Sequence, residues 1–249
     1  MTQPVASITR KAYALSRRIT ACQHVHIMRI LLRLFLMSFS TATLAQVPPS
    51  ATEIAAYAGL HNAAHNNNVV DIRRLAASGT DLEARDSVGR TAVHVAAFAG
   101  ATDALRALAE AGADMNALDH QSYDAVTIAA VADDPETMSA AIELGNDAGL
   151  MTSTYDGTAL IAAAHLGHVE VVRRLIAAGA PLDHVNNLNW TALIEAVVLG
   201  DGGPAHTETV LALVEAGADR SITDRSGRTP LQLAEAYGFT EIADIIRGE

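Results

Sequence analysis

Gly89-Arg-Thr-Ala-Val-His-Val-Ala-Ala97 decides the fold, because the chain keeps returning to it. Related phrases begin at Gly157 (Gly-Thr-Ala-Leu-Ile-Ala-Ala-Ala), at Trp190 (Trp-Thr-Ala-Leu-Ile-Glu-Ala) and at Gly227 (Gly-Arg-Thr-Pro-Leu-Gln-Leu-Ala). The key apolar residue falls at Leu60, Val93, Val126, Leu160, Leu193 and Leu231, in steps of 33, 33, 34, 33 and 38. A second mark follows each time: Ser78-Gly79, Ala111-Gly-Ala-Asp114, Leu144-Gly-Asn-Asp147, Ala178-Gly-Ala180 and Ala216-Gly-Ala-Asp219. Its glycines are 33, 33, 34 and 38 apart. Two independent marks in register identify a repeat array.

Each unit reads as a pair of helices. Thr91, Thr158, Thr191 and Thr229 precede apolar runs and are placed to cap the free amides of a helix start. Pro230 follows Thr229 at the first helical position, where a missing N–H costs nothing. Small residues such as Ala96-Ala97, Ala129-Ala130 and Ala163-Ala164 let this first helix approach its neighbours closely, and Gly100, Gly167, Gly200 and Gly238 end it. A second helix carries apolar residues at helical spacing, as at Val171, Val172, Leu175 and Ile176, and Gly79, Gly112, Gly145, Gly179 and Gly217 close it. One such pair cannot bury its apolar face alone, so the units must stack.

The chain at this point resembles the ankyrin-repeat family, whose pattern is roughly D-x-x-G-x-T-P-L-H-x-A-A-x-x-G-H, a second helix and G-A-D. Asp86 to Asp114, Gly157 to Ala180 and Asp224 to Ile246 match it best. The resemblance implies an all-α solenoid of about six helix-turn-helix units joined by β-hairpin-like loops. The repeats are expected at about 54–85, 86–118, 119–152, 153–185, 186–223 and 224–249, after a short linker and helix start at 46–53 capped by Ser50 and Glu53. Three units depart from the pattern. The first lacks Gly-x-Thr and reads as the N-terminal cap. The third has Asp124-Ala-Val126 for Thr-Pro-Leu and Asp133-Asp134-Pro135 for the Gly-His turn. The fifth carries five extra residues within Asp201-Gly-Gly-Pro-Ala-His206, read here as a neutral surface loop rather than a contact loop.

Charge divides the 249-residue chain. Residues 1–45 hold six basic groups and no acid, while 46–249 hold eleven Arg against 28 acids, a net of −17. So acidic a body repels phosphate backbones and anionic membranes, which excludes nucleic acid as a partner. The single cysteine, Cys22, lies in the basic segment, so the body has no disulfide, no Cys-ligated metal and no thiol nucleophile. Within that segment, Met28-Arg-Ile-Leu-Leu-Arg33, an apolar run from Leu34 to Leu44, and small residues at Thr43 and Ala45 read as a secretory signal peptide cleaved after Ala45. Translation from Met28 is an alternative start, and an Arg-rich organelle transit peptide an alternative address. The run is shorter than the ~20 residues of a spanning helix, so a stable membrane anchor is not expected. The expected mature chain begins at Gln46 in the periplasm or beyond the cell.

No catalytic motif stands out: G-x-S-x-G, a phosphate-cradling G-x-x-x-x-G-K and H-E-x-x-H are all absent. His61 and His65 are one helical turn apart, a spacing that holds zinc when a third ligand is near. The resemblance supplies a structural role instead, placing His61 and His94 at the TPLH position and His168 in the Gly-His turn. A metal-binding or enzymatic protein using His61, His65 or His165 remains a minor alternative. No metal, cofactor or catalytic residue is assigned.

The functional clue is the placement of aromatics. In ankyrin arrays, loop tips and the exposed edge of each first helix line a concave surface where partners generally bind. Of the seven aromatics after residue 45, Tyr123 and Trp190 stand just before the Thr site, Tyr155 three before Thr158, Phe98 seven after Thr91 and Tyr237 eight after Thr229. Arg90 and Arg228 share the position of Tyr123 and Trp190. Tyr and Trp anchors dominate many interfaces. The expectation is a monomeric, non-catalytic, exported module that binds another protein through Tyr123, Tyr155, Trp190, Phe98, Arg90, Arg228 and Tyr237. A secreted effector acting on a host or target-cell protein is the alternative.

Overall fold

Thirteen α-helices succeed one another along residues 46–249, which the computed structural model describes. The leader, the cleavage site after Ala45 and the start at Met28 lie outside the described residues. A short α1 (Ala51–Ala56) is followed by six helix pairs. The first helices are α2 (Gly59–His65), α4 (Ala92–Phe98), α6 (Ala125–Val131), α8 (Ala159–Leu166), α10 (Ala192–Val198) and α12 (Pro230–Tyr237). Their partners are α3 (Val69–Ala77), α5 (Thr102–Ala111), α7 (Pro135–Glu143), α9 (Val169–Ala177), α11 (Pro204–Glu215) and α13 (Thr240–Arg247). Each helix packs on its own partner and on the equivalent helices of adjacent pairs, so there is an inner row and an outer row within one unit, Pro48–Glu249.

Local chemistry sets the inner helices. Thr158 and Thr191 accept the N–H of Ile161 and Ile194, and Thr229 forms a reciprocal box with Gln232. In the third pair Asp124 takes over the threonine's task and accepts the N–H of Thr127 at 2.8 Å. The core is aliphatic and thin: Ala96, Ala129, Ala130, Ala163, Ala164 and Ala196 are fully buried between rows, with Leu105, Leu160, Leu193 and Leu213 filling the space between repeats. Outer helices end on residues such as Gly112, whose φ of 94° suits only glycine cheaply.

The connecting loops are turns rather than hairpins. Among the described residues there is no strand, only an isolated antiparallel bridge between Thr152 and Gly157. The long loop of the fifth pair is tied down at both ends. Asp201 accepts the Gly203 N–H at 2.8 Å and faces His206 Nδ1 at 3.1 Å, while His206 Nε2 faces the His165 carbonyl at 3.0 Å. His168 makes the corresponding contact one repeat earlier, Nδ1 to the Ala130 carbonyl at 2.9 Å. The insertion thus displaces a histidine along the sequence and returns it to the end of the preceding inner helix.

Candidate functional site

The loops leading into α4, α6, α10 and α12 are each organised by one side chain. Asp86 Oδ1 accepts the N–H groups of Val88 and Arg90 at 3.0 and 2.9 Å. Asp119 does the same for Gln121 and Tyr123, Asn186 for Leu188 and Trp190, and Asp224 for Ser226 and Arg228, all within 3.0 Å. Before α8, Ser153 Oγ fills the role with Tyr155 and Gly157 at 3.3 and 3.4 Å. Such local bonds mimic backbone pairing and fix a turn. Backbone bonds then stitch neighbouring tips: His120 N–H to the Val88 carbonyl (3.1 Å), Ser153 to Ser122 (2.8 Å) and Asn187 to Tyr155 (2.9 Å). At Gly89, with φ 85°, a Cβ would stand 2.7 Å from the His120 nitrogen, so the close tip contact requires glycine. The outcome is a rigid row of tips beside the inner helices.

The proposed anchors divide on this scaffold. Tyr155 and Trp190 on the tips, and Phe98 and Tyr237 at the ends of α4 and α12, are half-buried. The Tyr237 ring lies 5.7 Å from that of Phe239. Arg228 is exposed and pairs with the buried Asp224 at 2.8 Å. Arg90 and Tyr123 depart from the expectation. Arg90 is only 2% exposed, because its Nε donates to Asp86 Oδ2 at 2.7 Å and its other arm pairs with Glu53 of the α1 capping box. The Tyr57 hydroxyl also donates to Asp86, and burial pushes that phenol up to about 12. Arg90 therefore locks α1 onto the row of tips and offers no charge to a partner. Tyr123 is 9% exposed, with its ring in the core cluster and its carbonyl facing His94 Nε2 at 3.0 Å. Among the described buried residues, Tyr123 adds an aromatic ring to an otherwise aliphatic core.

The histidines occupy the places that the resemblance implies. His61 Nε2 lies 2.9 Å from the Arg90 carbonyl, repeating the His94 contact one unit earlier. Among the described residues no three His, Cys, Asp or Glu side chains come together as a metal site would require. No described helix is long and apolar enough to cross a membrane.

One acidic group was not legible as special. Glu195 sits within the apolar run of α10 and is 5% exposed. Asn186 Nδ2 donates to its Oε1 at 2.9 Å, and the same Asn186 side chain holds the Trp190 N–H. Its Oε2 is 3.6 Å from His165 Nδ1, on α8 of the preceding repeat. Burial raises the Glu195 carboxyl to about 7. Burial, with His206 and His168 nearby, holds His165 below its usual value, so that imidazole is neutral at pH 7. The only sequence signal was a lone acid interrupting Ala-Leu-Ile and Ala-Val-Val.

Comparison with known proteins agrees with this architecture. The family model described as ankyrin repeats (3 copies) matches residues 43–119 and 126–224. Two curated relatives each align over 93 residues, 37% of this chain: the ankyrin repeat protein YahD of Escherichia coli at 40% identity, and the ankyrin repeat and KH domain-containing protein mask-1 of Caenorhabditis elegans at 36%. Those alignments span 46% and 4% of the relatives' own lengths. Among solved structures, an ankyrin repeat domain from Acinetobacter baumannii is 41% identical with a TM-score of 0.71, covering 76% of this chain and 96% of that one. A second solved ankyrin repeat protein is 31% identical with a TM-score of 0.70 over the same shares. The ankyrin repeat domain of Bcl-3, at 24% identity and TM-score 0.61, covers 77% of this chain and 99% of its own and shares the fold.

Proposed function

This chain belongs to the ankyrin-repeat family, and from that premise we propose that it is an exported, non-catalytic module that binds another protein through the tips and inner helices of its solenoid. Members of the family generally bind other proteins and generally act as scaffolds without catalysis. The observation that carries the reading here is the row of stitched tips presenting half-buried rings at Tyr155 and Trp190, continued by Phe98 and Tyr237 on the inner helices. A rigid aromatic anchor loses little conformational entropy when it is covered, which is what an interface requires. Arg228 adds a cation at the far end of the row, in place of the sequestered Arg90.

Export rests on the basic, acid-free segment 1–45 and its small-residue site at Thr43 and Ala45. The periplasm is the proposed compartment. Two measurements test the proposal. The mass of the exported protein should place its N-terminus at Gln46, whereas a chain retaining Met1 would contradict export by this route. A pull-down from periplasmic extract should capture a protein that the Tyr155→Ala, Trp190→Ala double variant loses; capture of the same proteins by both baits would contradict the aromatic face.

A further inference from the structure

His206, in the loop of the fifth pair, stands between two acceptors. Its Nδ1 faces Asp201 Oδ1 at 3.1 Å, and its Nε2 faces the His165 carbonyl at the end of α8 at 3.0 Å. A neutral imidazole carries one N–H and donates to only one of them, whereas the imidazolium donates to both. Two other structural histidines differ. His94 Nδ1 accepts the Thr91 N–H at 3.1 Å while Nε2 donates to the Tyr123 carbonyl, which suits a neutral ring. His168 meets the Ala130 carbonyl at 2.9 Å and Asp133 at 3.9 Å through a single nitrogen, Nδ1. The His206 ring is also closely seated. A Cβ at Gly167 would stand 3.2 Å from its Nε2, and one at Gly200 would stand 2.8 Å from its ring carbons. The side chain is 13% exposed.

We propose that His206 is a proton-operated latch: protonated, it ties the loop to the end of α8 through two bonds, and without that proton one tie is lost and the loop loosens. Imidazoles change charge between about pH 5 and 8, so the latch is closed on the acid side and opens as pH rises. The surroundings fit a cation. The Gly203 N–H, and then His206, hold the Asp201 carboxyl below its ordinary value, and the last carbonyls of α8 carry the negative end of its dipole. Among the described residues Asp201 is the one carboxylate within pairing distance of His206. On α8 the His165 ring is kept neutral, by burial first and by His206 and His168 next, and Glu195 of α10 faces His165. Arg173 of α9 is taken by Glu208 of α11 itself, while α13 brings Glu241 and the Asp244–Arg247 pair. Opening would be felt beyond the loop. Gly202 lies against the Phe239 ring, where a Cβ would be 2.4 Å away, and that ring is 5.7 Å from Tyr237 of the proposed face. The latch itself does not depend on what that face binds.

Nuclear magnetic resonance of the purified protein between pH 5.5 and 8 tests this. Long-range 1H–15N spectra read the protonation of His206, and amide exchange at Gly203, whose N–H bonds to the same Asp201 oxygen, reads the loop. The expected result is a Gly203 protection factor, corrected for intrinsic exchange, that falls on the order of tenfold as His206 loses its proton. The Phe239 ring resonances should shift with the same midpoint. Asp201→Asn and His206→Gln each keep a polar side chain and remove one charge, and both should give a flat profile. A protection factor that stays constant with pH in the wild type overturns the latch. So does an equal fall in His206→Gln, or a His206 ring that is neutral throughout the range.

Discussion

Asn146 Nδ2 donates to Asp124 Oδ2 at 2.8 Å, and this bond joins two departures from the repeat pattern into one. Asp124 replaces the capping threonine of the third unit, and Asn146 replaces the alanine of its Gly-Ala-Asp mark. Aspartate brings a second oxygen into a site that is 1% exposed, and burial raises its carboxyl above the ordinary value. Asn146 answers it, and also accepts the Val126 N–H at 3.2 Å and faces Asn116 Oδ1 at 3.2 Å. Asn146→Ala alone should lower stability by about 2 kcal/mol, because it strands a buried acceptor. Adding Asp124→Thr should restore most of the loss, giving a coupling that urea denaturation of the four proteins would measure. Additive losses would show that the pair does not act as a unit.

Arg90 and Arg228 occupy one position of the repeat and should behave differently. Arg90→Ala removes the cation between Glu53 and Asp86 inside the fold, and should cost about 3 kcal/mol and loosen α1. Arg228→Ala removes a half-exposed side chain and should cost less. Partner affinity should respond in the opposite order. Thermal melts together with binding by the two variants would check both halves of the prediction.

Glu195 makes the fold lose stability as pH rises from acid to neutral. Its folded value of about 7 stands above the ordinary 4.5, so the folded chain holds a proton that the unfolded chain has lost. Its contribution to stability is therefore complete below pH 4.5 and is lost as pH rises toward 7, by about 3 kcal/mol at ~1.4 kcal/mol per unit. Glu195→Gln should flatten that part of the curve and be the more stable protein at pH 8. Parallel curves for the two proteins between pH 5 and 8 would contradict the assignment.

The loop of the fifth pair should prove intolerant of change, because it is packed. Gly202 has φ 73°, and a Cβ there would lie 2.4 Å from the Phe239 ring. Gly202→Ala should cost about 2 kcal/mol by melting temperature. His206→Ala should speed amide exchange at Gly203, where the Asp201 bond depends on the same contact.

Much of this was legible because a repeat states itself several times. The 33-residue step, the capping threonines and the closing glycines marked the array of helix pairs, and the TPLH histidines fell into their contacts. What escaped depends on partners distant in sequence. Arg90 reads as a surface cation until Glu53, 37 residues earlier, is folded against it. Tyr123 shares its position with Trp190, yet its ring packs into the core of the third repeat. Glu195 gave a signal, an acid in an apolar run, but the Asn186 link to Trp190 needs the turn geometry to be seen.

The central claim is that partners dock on the tips and inner helices. A photo-crosslinking amino acid placed at position 190 on a tip, and separately at the exposed Arg106 of outer helix α5, tests it most directly. After irradiation in periplasmic extract, the account predicts a protein adduct from position 190 and none from position 106. An adduct confined to position 106 would contradict it.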